Sequence, residues 1–167
     1  MAEFTGPGGR LPGNRPGVLV AGNDGALYGV PQNNGGLFRV DGNGVEPLGP
    51  PGPPRLDGSG PAPNCLLAPA PDGWLYGLPY IGKRYTMFRF DPGSGVVEMI
   101  PGKGGRGWSY TGRCGLVNDG RGGFLAVSAN LGPEGNGGIL RLQPDGRFET
   151  VALFTGRGGA LDRKSVV

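Results

Sequence analysis

Apolar residues occur in clusters of four to six, separated by Gly, Pro, Asn and Asp. That pattern predicts many short strands joined by tight turns. The clusters also repeat. Asp24-Gly-Ala-Leu-Tyr-Gly-Val-Pro31 matches Asp72-Gly-Trp-Leu-Tyr-Gly-Leu-Pro79, and a looser third copy runs from Gly115 to Ser128. Aligning Leu27, Leu75 and Leu125 gives steps of 48 and 50 residues, with three extra residues in the third turn and the Tyr-Gly pair lost there.

Each copy continues into a second matched pair of strands. Phe38-Arg-Val-Asp41 corresponds to Phe88-Arg-Phe-Asp91 and to Leu140-Arg-Leu-Gln143. Val45-Glu46, Val97-Glu98 and Phe148-Glu149 then follow. One repeat thus predicts four antiparallel strands, the size of a propeller blade. The hairpin loops Gly42-Asn43, Pro92 to Gly95 and Pro144 to Gly146 differ in length, and Gly146 falls where a left-handed residue is expected. They place Arg39 opposite Glu46, Arg89 opposite Glu98, and Arg141 opposite Glu149. Such cross-strand pairs contribute about 0.2–1 kcal/mol each and would act as a register lock. Pairing with glutamate also outweighs reading the three arginines as an anion-binding ring.

The Asp-Gly-x-Leu-Tyr-Gly-x-Pro pattern, followed by Phe-Arg-hydrophobic-Asp and a Gly-rich turn, resembles the tandem-repeat β-propeller families, including the GloVer-type repeats. The resemblance covers nearly the whole chain. It implies ligand or partner binding at a propeller face, or a structural role. The expected fold is all-β: three consecutive four-stranded antiparallel propeller-like blades in an incomplete ring or open arc. Residues 1–16 are expected to be the tail of a preceding blade plus a connection, 17–49 blade 1, and 50–64 a Gly/Pro-rich connection. Residues 65–102 are expected to form blade 2, 103–113 a connection and 114–159 blade 3, with 160–167 a non-native tail.

Composition changes this picture little. Gly 38 and Pro 18 among 167 residues would read as low complexity without the period, but charged residues are only 17% and the net charge is +3. The basic residues are scattered singly, so no stripe tracks phosphates and no nucleic-acid partner is expected. No apolar run approaches the ~18 residues that a membrane helix needs, and no membrane partner is expected.

Candidate chemistry is sparse. Histidine is absent, which removes Ser-His-Asp and Cys-His nucleophile sets and His-based metal sites. It also counts against propeller lyases and lactonases. Asp24 and Asp72 precede Gly in tight turns, where the carboxylate bonds its own backbone. Cys65 and Cys114 occupy equivalent positions in neighbouring blades and read as buried free thiols. The Gly-rich connections lack a P-loop ending. No cofactor and no metal are expected.

Two loop clusters carry recognition chemistry. Arg106, Trp108, Tyr110 and Arg113 lie in one long connection; Lys83, Arg84 and Tyr85 lie in the other exposed loop of the second repeat. The alternative for Trp108 is a loop anchor packed between blades. The expected function is a non-catalytic propeller scaffold, not an enzyme, that binds a protein or small ligand through loops. The alternative is part of a lyase- or lactonase-like propeller enzyme whose active residues lie in other blades.

Three blades do not close a ring, since propellers have about 4–8. Glu3-Phe4-Thr5-Gly6 matches Leu153-Phe-Thr-Gly156, as if the chain opened on the end of a preceding blade. Asp162 to Val167 fits no repeat position and can be encoded in frame by a common sequencing adapter. The chain is therefore expected to be an arc of a longer propeller or, if complete, a half-propeller that forms a homodimer.

Overall fold

The computed structural model describes residues 14–33, 37–48, 66–78, 86–103, 115–128, 131–132 and 135–154. They form three four-stranded antiparallel sheets, each a meander in chain order. The first contains β1 (Asn14–Ala21), β2 (Leu27–Asn33), β3 (Leu37–Asp41) and β4 (Gly44–Leu48). The second contains β5 (Leu66–Pro69), β6 (Leu75–Leu78), β7 (Thr86–Phe90) and β8 (Val97–Pro101). The third contains β9 (Leu116–Asn118), β10 (Phe124–Ser128), β11 (Gly138–Leu142) and β12 (Phe148–Leu153). β1 lies beside β5, and β5 beside β9, so the first strand of each sheet is innermost. This is the all-β arc of propeller-like blades that the repeat predicts.

Alternation along the strands sends side chains to both faces of each sheet, and apolar side chains fill the spaces between neighbours. Between the first and second sheets lie Tyr28, Val30, Leu67, Leu75, Phe88 and Phe90. Between the second and third lie Tyr76, Leu78, Met87, Phe124, Leu140 and Leu142. The middle sheet is covered on both faces, which is why all four residues of β6 are buried.

The cross-strand register holds as read from the hairpins: Arg39 faces Glu46, Arg89 faces Glu98, and Arg141 faces Glu149. The alignment of the third repeat needs correction. Arg39 and Arg89 pair with Tyr28 and Tyr76, but Arg141 pairs with Leu125. Leu125 is therefore the counterpart of the tyrosines, and Phe124 that of Leu27 and Leu75.

The physical reason is a contact across the sheet. The Phe38 and Phe88 rings lie directly over Gly29 and Gly77, where an added Cβ would sit 2.2 and 2.1 Å from ring carbons. In the third sheet the same paired positions are Ala126 and Leu140. A larger residue on one strand accompanies a smaller one on the next, which holds the volume of the layer nearly constant. Sequence matching on leucine placed this copy one residue out of step.

Candidate functional site

The tight turns after β1, β5 and β9 share one architecture. Asp24 Oδ1 accepts the Ala26 amide at 3.2 Å, and Asp72 Oδ1 accepts the Trp74 amide at 3.0 Å. The other oxygen reaches into the sheet: the Tyr28 hydroxyl donates to Asp24 at 2.7 Å, and the Tyr76 hydroxyl to Asp72 at 2.9 Å. Each buried phenol thus has its partner in the turn that introduces its own strand. Burial pushes both phenols above their ordinary pKa, and the carboxylate that each donates to adds to the effect. The Tyr28 hydroxyl in turn holds the Asp24 carboxyl below its usual range.

The third turn solves the same problem with a different donor. Leu125 offers no hydroxyl, so Arg141 turns inward and donates to Asp119 Oδ2 through Nε at 2.8 Å and Nη2 at 2.6 Å. Asp119 Oδ1 accepts the amides of Arg121 at 2.7 Å and Gly123 at 2.9 Å. The Arg121 amide first, then Arg141 and the Gly123 amide, depress the Asp119 carboxyl to about 2.

The three arginines therefore do not share one role. Arg89 pairs with Glu98 at 2.7 Å and lies 4.3 Å from the centre of the Trp74 ring. Arg141 keeps only a 3.6 Å approach to Glu149. Arg39 turns to Asp41 at 2.8 Å and Asp24 at 3.6 Å. The expected Arg–Glu lock thus closes fully in the second sheet alone. Facing residues are fixed by backbone register, whereas a long arginine side chain takes whichever carboxylate is nearest and least solvated.

Asn23, Asp24, Tyr28, Arg39 and Glu46 on the first sheet line a polar groove of about 710 Å³ with the Asp91–Gly95 turn of the second. Its carboxylates are held by turn geometry: Asp91 accepts the Gly93 amide at 3.0 Å and the Ser94 hydroxyl at 2.6 Å, and lies below its usual pKa. A second, smaller space of about 260 Å³ is lined by Lys103 of the second repeat and by Gln143, Arg147, Phe148 and Glu149 of the third.

With Asp24, Asp91 and Asp119 shifted down and Tyr28 and Tyr76 shifted up, these groups are poorly poised to exchange protons near neutral pH. Among the described residues no three carboxylate or cysteine side chains stand close enough to hold a metal ion. The groove can accept hydrogen bonds from a polyhydroxylated or cationic group, and its arginine, Arg39, is already paired with Asp41 and Asp24.

Sequence reasoning recognised the turn role of Asp24 and Asp72 but missed their tyrosine partners. The signal was present, since Asp and Tyr stand four residues apart in both good copies. Arg141 as the replacement donor left no such trace. Lys83, Arg84, Tyr85, Arg106, Trp108, Tyr110 and Arg113, like Cys65 and Cys114, lie outside the described residues. The strands that bound those segments are described. β6 ends and β7 begins at the edge of the second sheet opposite the Asp72 turn, and β8 runs on to Lys103 beside the Gly146 turn.

No protein-family model matches the chain. No curated protein matches it. Among solved structures it is similar to the PQQ-bound form of aldose sugar dehydrogenase from Streptomyces coelicolor, at 22% identity and a TM-score of 0.52. The likeness covers 87% of this chain but 49% of that one, so the chain spans about half of its neighbour's length. At that identity the likeness establishes the propeller-type fold. It also corrects the expectation that the chain is not an enzyme, because a PQQ-bound dehydrogenase is built on this architecture. The missing histidine and catalytic sets were weighed over one arc, whereas a propeller site draws residues from several blades.

Proposed function

We propose that the chain supplies part of the wall of a propeller enzyme acting on a small polar substrate, with sugar oxidation the favoured chemistry. The supporting observation is strand direction. β6 ends and β7 begins at the edge opposite the Asp72 turn, on either side of the segment carrying Lys83, Arg84 and Tyr85. β8 instead runs on to Lys103 beside the Gly146 turn, ahead of the segment carrying Arg106, Trp108, Tyr110 and Arg113. The four cations and three aromatic side chains of these two segments are the candidate substrate contacts. Aromatic faces suit sugar rings, and arginine suits carboxylate or phosphate.

PQQ, a tricarboxylate quinone, does not fit the described residues. Arg39, Arg89 and Arg141 are committed to carboxylates. The groove sets Arg39 alone against Asp24, Glu46 and Asp91. We therefore derive no step through that cofactor.

The test is aldose-dependent reduction of an artificial electron acceptor by the protein, with and without added PQQ and a divalent cation. Arg106→Ala and Trp108→Ala should each raise KM by about 10- to 100-fold, the cost of one charged hydrogen bond or stacked ring. Arg39→Ala, in the groove between the first two sheets, should leave it within about twofold. Absence of turnover and of sugar binding, or an equal loss in Arg39→Ala, would remove the proposal.

A further inference from the structure

An arginine faces a glutamate across the outer hairpin of every blade, yet the pair ends differently beside the groove. In the second blade Arg89 Nε donates to Glu98 at 2.7 Å. In the third, Arg141 still approaches Glu149 at 3.6 Å. In the first, Arg39 turns to Asp41 and Asp24, and the Glu46 carboxylate keeps no hydrogen bond or ion pair among the described residues. That free carboxylate lines the space of about 710 Å³ between the first and second sheets. Small-molecule sites occupy about 300–1,000 Å³, so the groove has the size of one.

The groove is rich in acceptors and poor in free donors. Asn23 Nδ2 donates to the Ala70 carbonyl at 2.7 Å, which leaves its Oδ1 as an acceptor. The Tyr28 and Ser94 hydroxyls donate to Asp24 and Asp91. Asp24, Glu46 and Asp91 set against Arg39 give the lining an excess of two negative charges, in a chain whose net charge is +3. Asp24 and Asp91 lie below their usual pKa and hold their charge at neutral pH. Leu48 of the first sheet and Pro92 of the second add apolar surface on the two walls. An anion is repelled here, and a metal ion meets no cluster of three ligands among the described residues. A neutral polyol would leave the charge uncompensated.

We propose that this groove binds a small organic ammonium ion, its primary ammonium group against Glu46 and its carbon skeleton against Leu48 and Pro92. Such a group brings three donors and one positive charge to a site that supplies acceptors and lacks a free cation. In the second blade Arg89 already meets that need from within the protein, whereas in the first blade Arg39 has left the position open. Linear diamines and amino sugars both carry the group and differ in the skeleton behind it. The inference rests on the groove and does not depend on the sugar-oxidation reading.

Titration calorimetry of the whole chain at neutral pH and low ionic strength tests this with two probes, putrescine and methyl glucosaminide. The blocked anomeric carbon of the second keeps it from serving as an aldose. At least one amine should bind saturably with a dissociation constant below about 1 mM, and the tighter of the two identifies the skeleton. Its uncharged counterpart, butanediol or methyl glucoside, should bind at least about tenfold more weakly. Glu46→Gln, a nearly isosteric change at an exposed strand position, should weaken the amine at least about tenfold, the loss of one charged contact. Glu98→Gln, at the paired counterpart in the second blade, should leave it within about twofold. Should Glu46→Gln fail to fold, Glu46→Ala provides the same comparison. Dissociation constants above about 1 mM for both amines would overturn the proposal, as would an affinity unchanged in Glu46→Gln. Equal binding of the uncharged counterpart, or displacement of the amine by an equal concentration of magnesium ion, would overturn it too, the latter as the mark of a loose counterion atmosphere.

Discussion

The first and second sheets meet through the same repeat positions as the second and third, yet the two junctions finish differently at their turn edge. Between the second and third sheets the Lys103 amide donates to the Gly146 carbonyl at 2.7 Å, and Lys103 and Arg147 form an isolated parallel bridge. Gly146, with φ of +87°, sits so close that a Cβ would lie 2.2 Å from the Pro101 carbonyl oxygen. Between the first and second sheets Glu46 and Leu48 face the four-residue loop Pro92–Gly95 across the polar groove, and the counterparts of Pro101 and Lys103 lie outside the described residues. The two hairpin turns differ by one residue, three against four. Their interiors differ too. Phe88 and Phe90 fill the first junction, whereas the equivalent Leu140 and Leu142 share the second with the Tyr76 and Phe124 rings, 4.8 Å between centroids.

Removing a ring should separate the junctions most. Phe88→Ala should cost about 3–5 kcal/mol in urea unfolding, and Leu140→Ala a smaller amount within about 2–5 kcal/mol. Equal losses would mean that the aromatic filling of the first junction carries no extra weight.

The glycine–phenylalanine contact can be exchanged for its third-blade version. Gly77→Ala alone should destabilise by about 1–3 kcal/mol because the Phe88 ring occupies the space. Adding Phe88→Leu should restore part of that loss, a coupling of about 0.5–3 kcal/mol in a double-mutant cycle. Strict additivity would refute the volume-exchange account of the shifted third repeat.

The two hairpin-turn glycines offer a smaller contrast. Gly146→Ala should cost about 1–3 kcal/mol, through both φ and the Pro101 contact. Gly95→Ala has positive φ and open space, and should cost about 1 kcal/mol. Thermal unfolding of the two variants compares them directly.

Acid unfolding should give the smallest effect. The Asp119 carboxyl ordinarily titrates near 3.8 and is held at about 2 in the folded protein. It therefore adds stability above pH 3.8 that is lost as pH falls from there towards about 2. Asp119→Asn should be less stable at neutral pH and should lose stability less steeply across that window. An unchanged slope would show that the Arg121, Gly123 and Arg141 contacts do not shift Asp119 in solution.

Much of this was legible in the sequence because it depends on neighbours along the chain. Asp-Gly turns, strand alternation and hairpin loop length act within ten residues, and they gave three blades, their strand order and the facing residues of each hairpin. The arginine partners were not legible. Register puts Arg39 opposite Glu46, but Asp41 and Asp24 arrive from the adjoining turns and compete for the same side chain. Arg141 leaves Glu149 for Asp119 because the third repeat lacks the tyrosine hydroxyl that the other turns use. The groove escaped for a related reason: its two walls come from different repeats, and turn length alone does not reveal how far a hairpin stands from the next sheet.

The sequence by itself determined the period, the all-β character and the unfinished arc, because local turn chemistry and alternation suffice for them. Tertiary structure decided the frame of the third repeat, the carboxylate each arginine takes and the groove between the first two sheets. Those outcomes depend on volume and charge brought together across strands and between sheets, where a compensating pair such as Ala126 and Leu140 preserves the packing while erasing the motif.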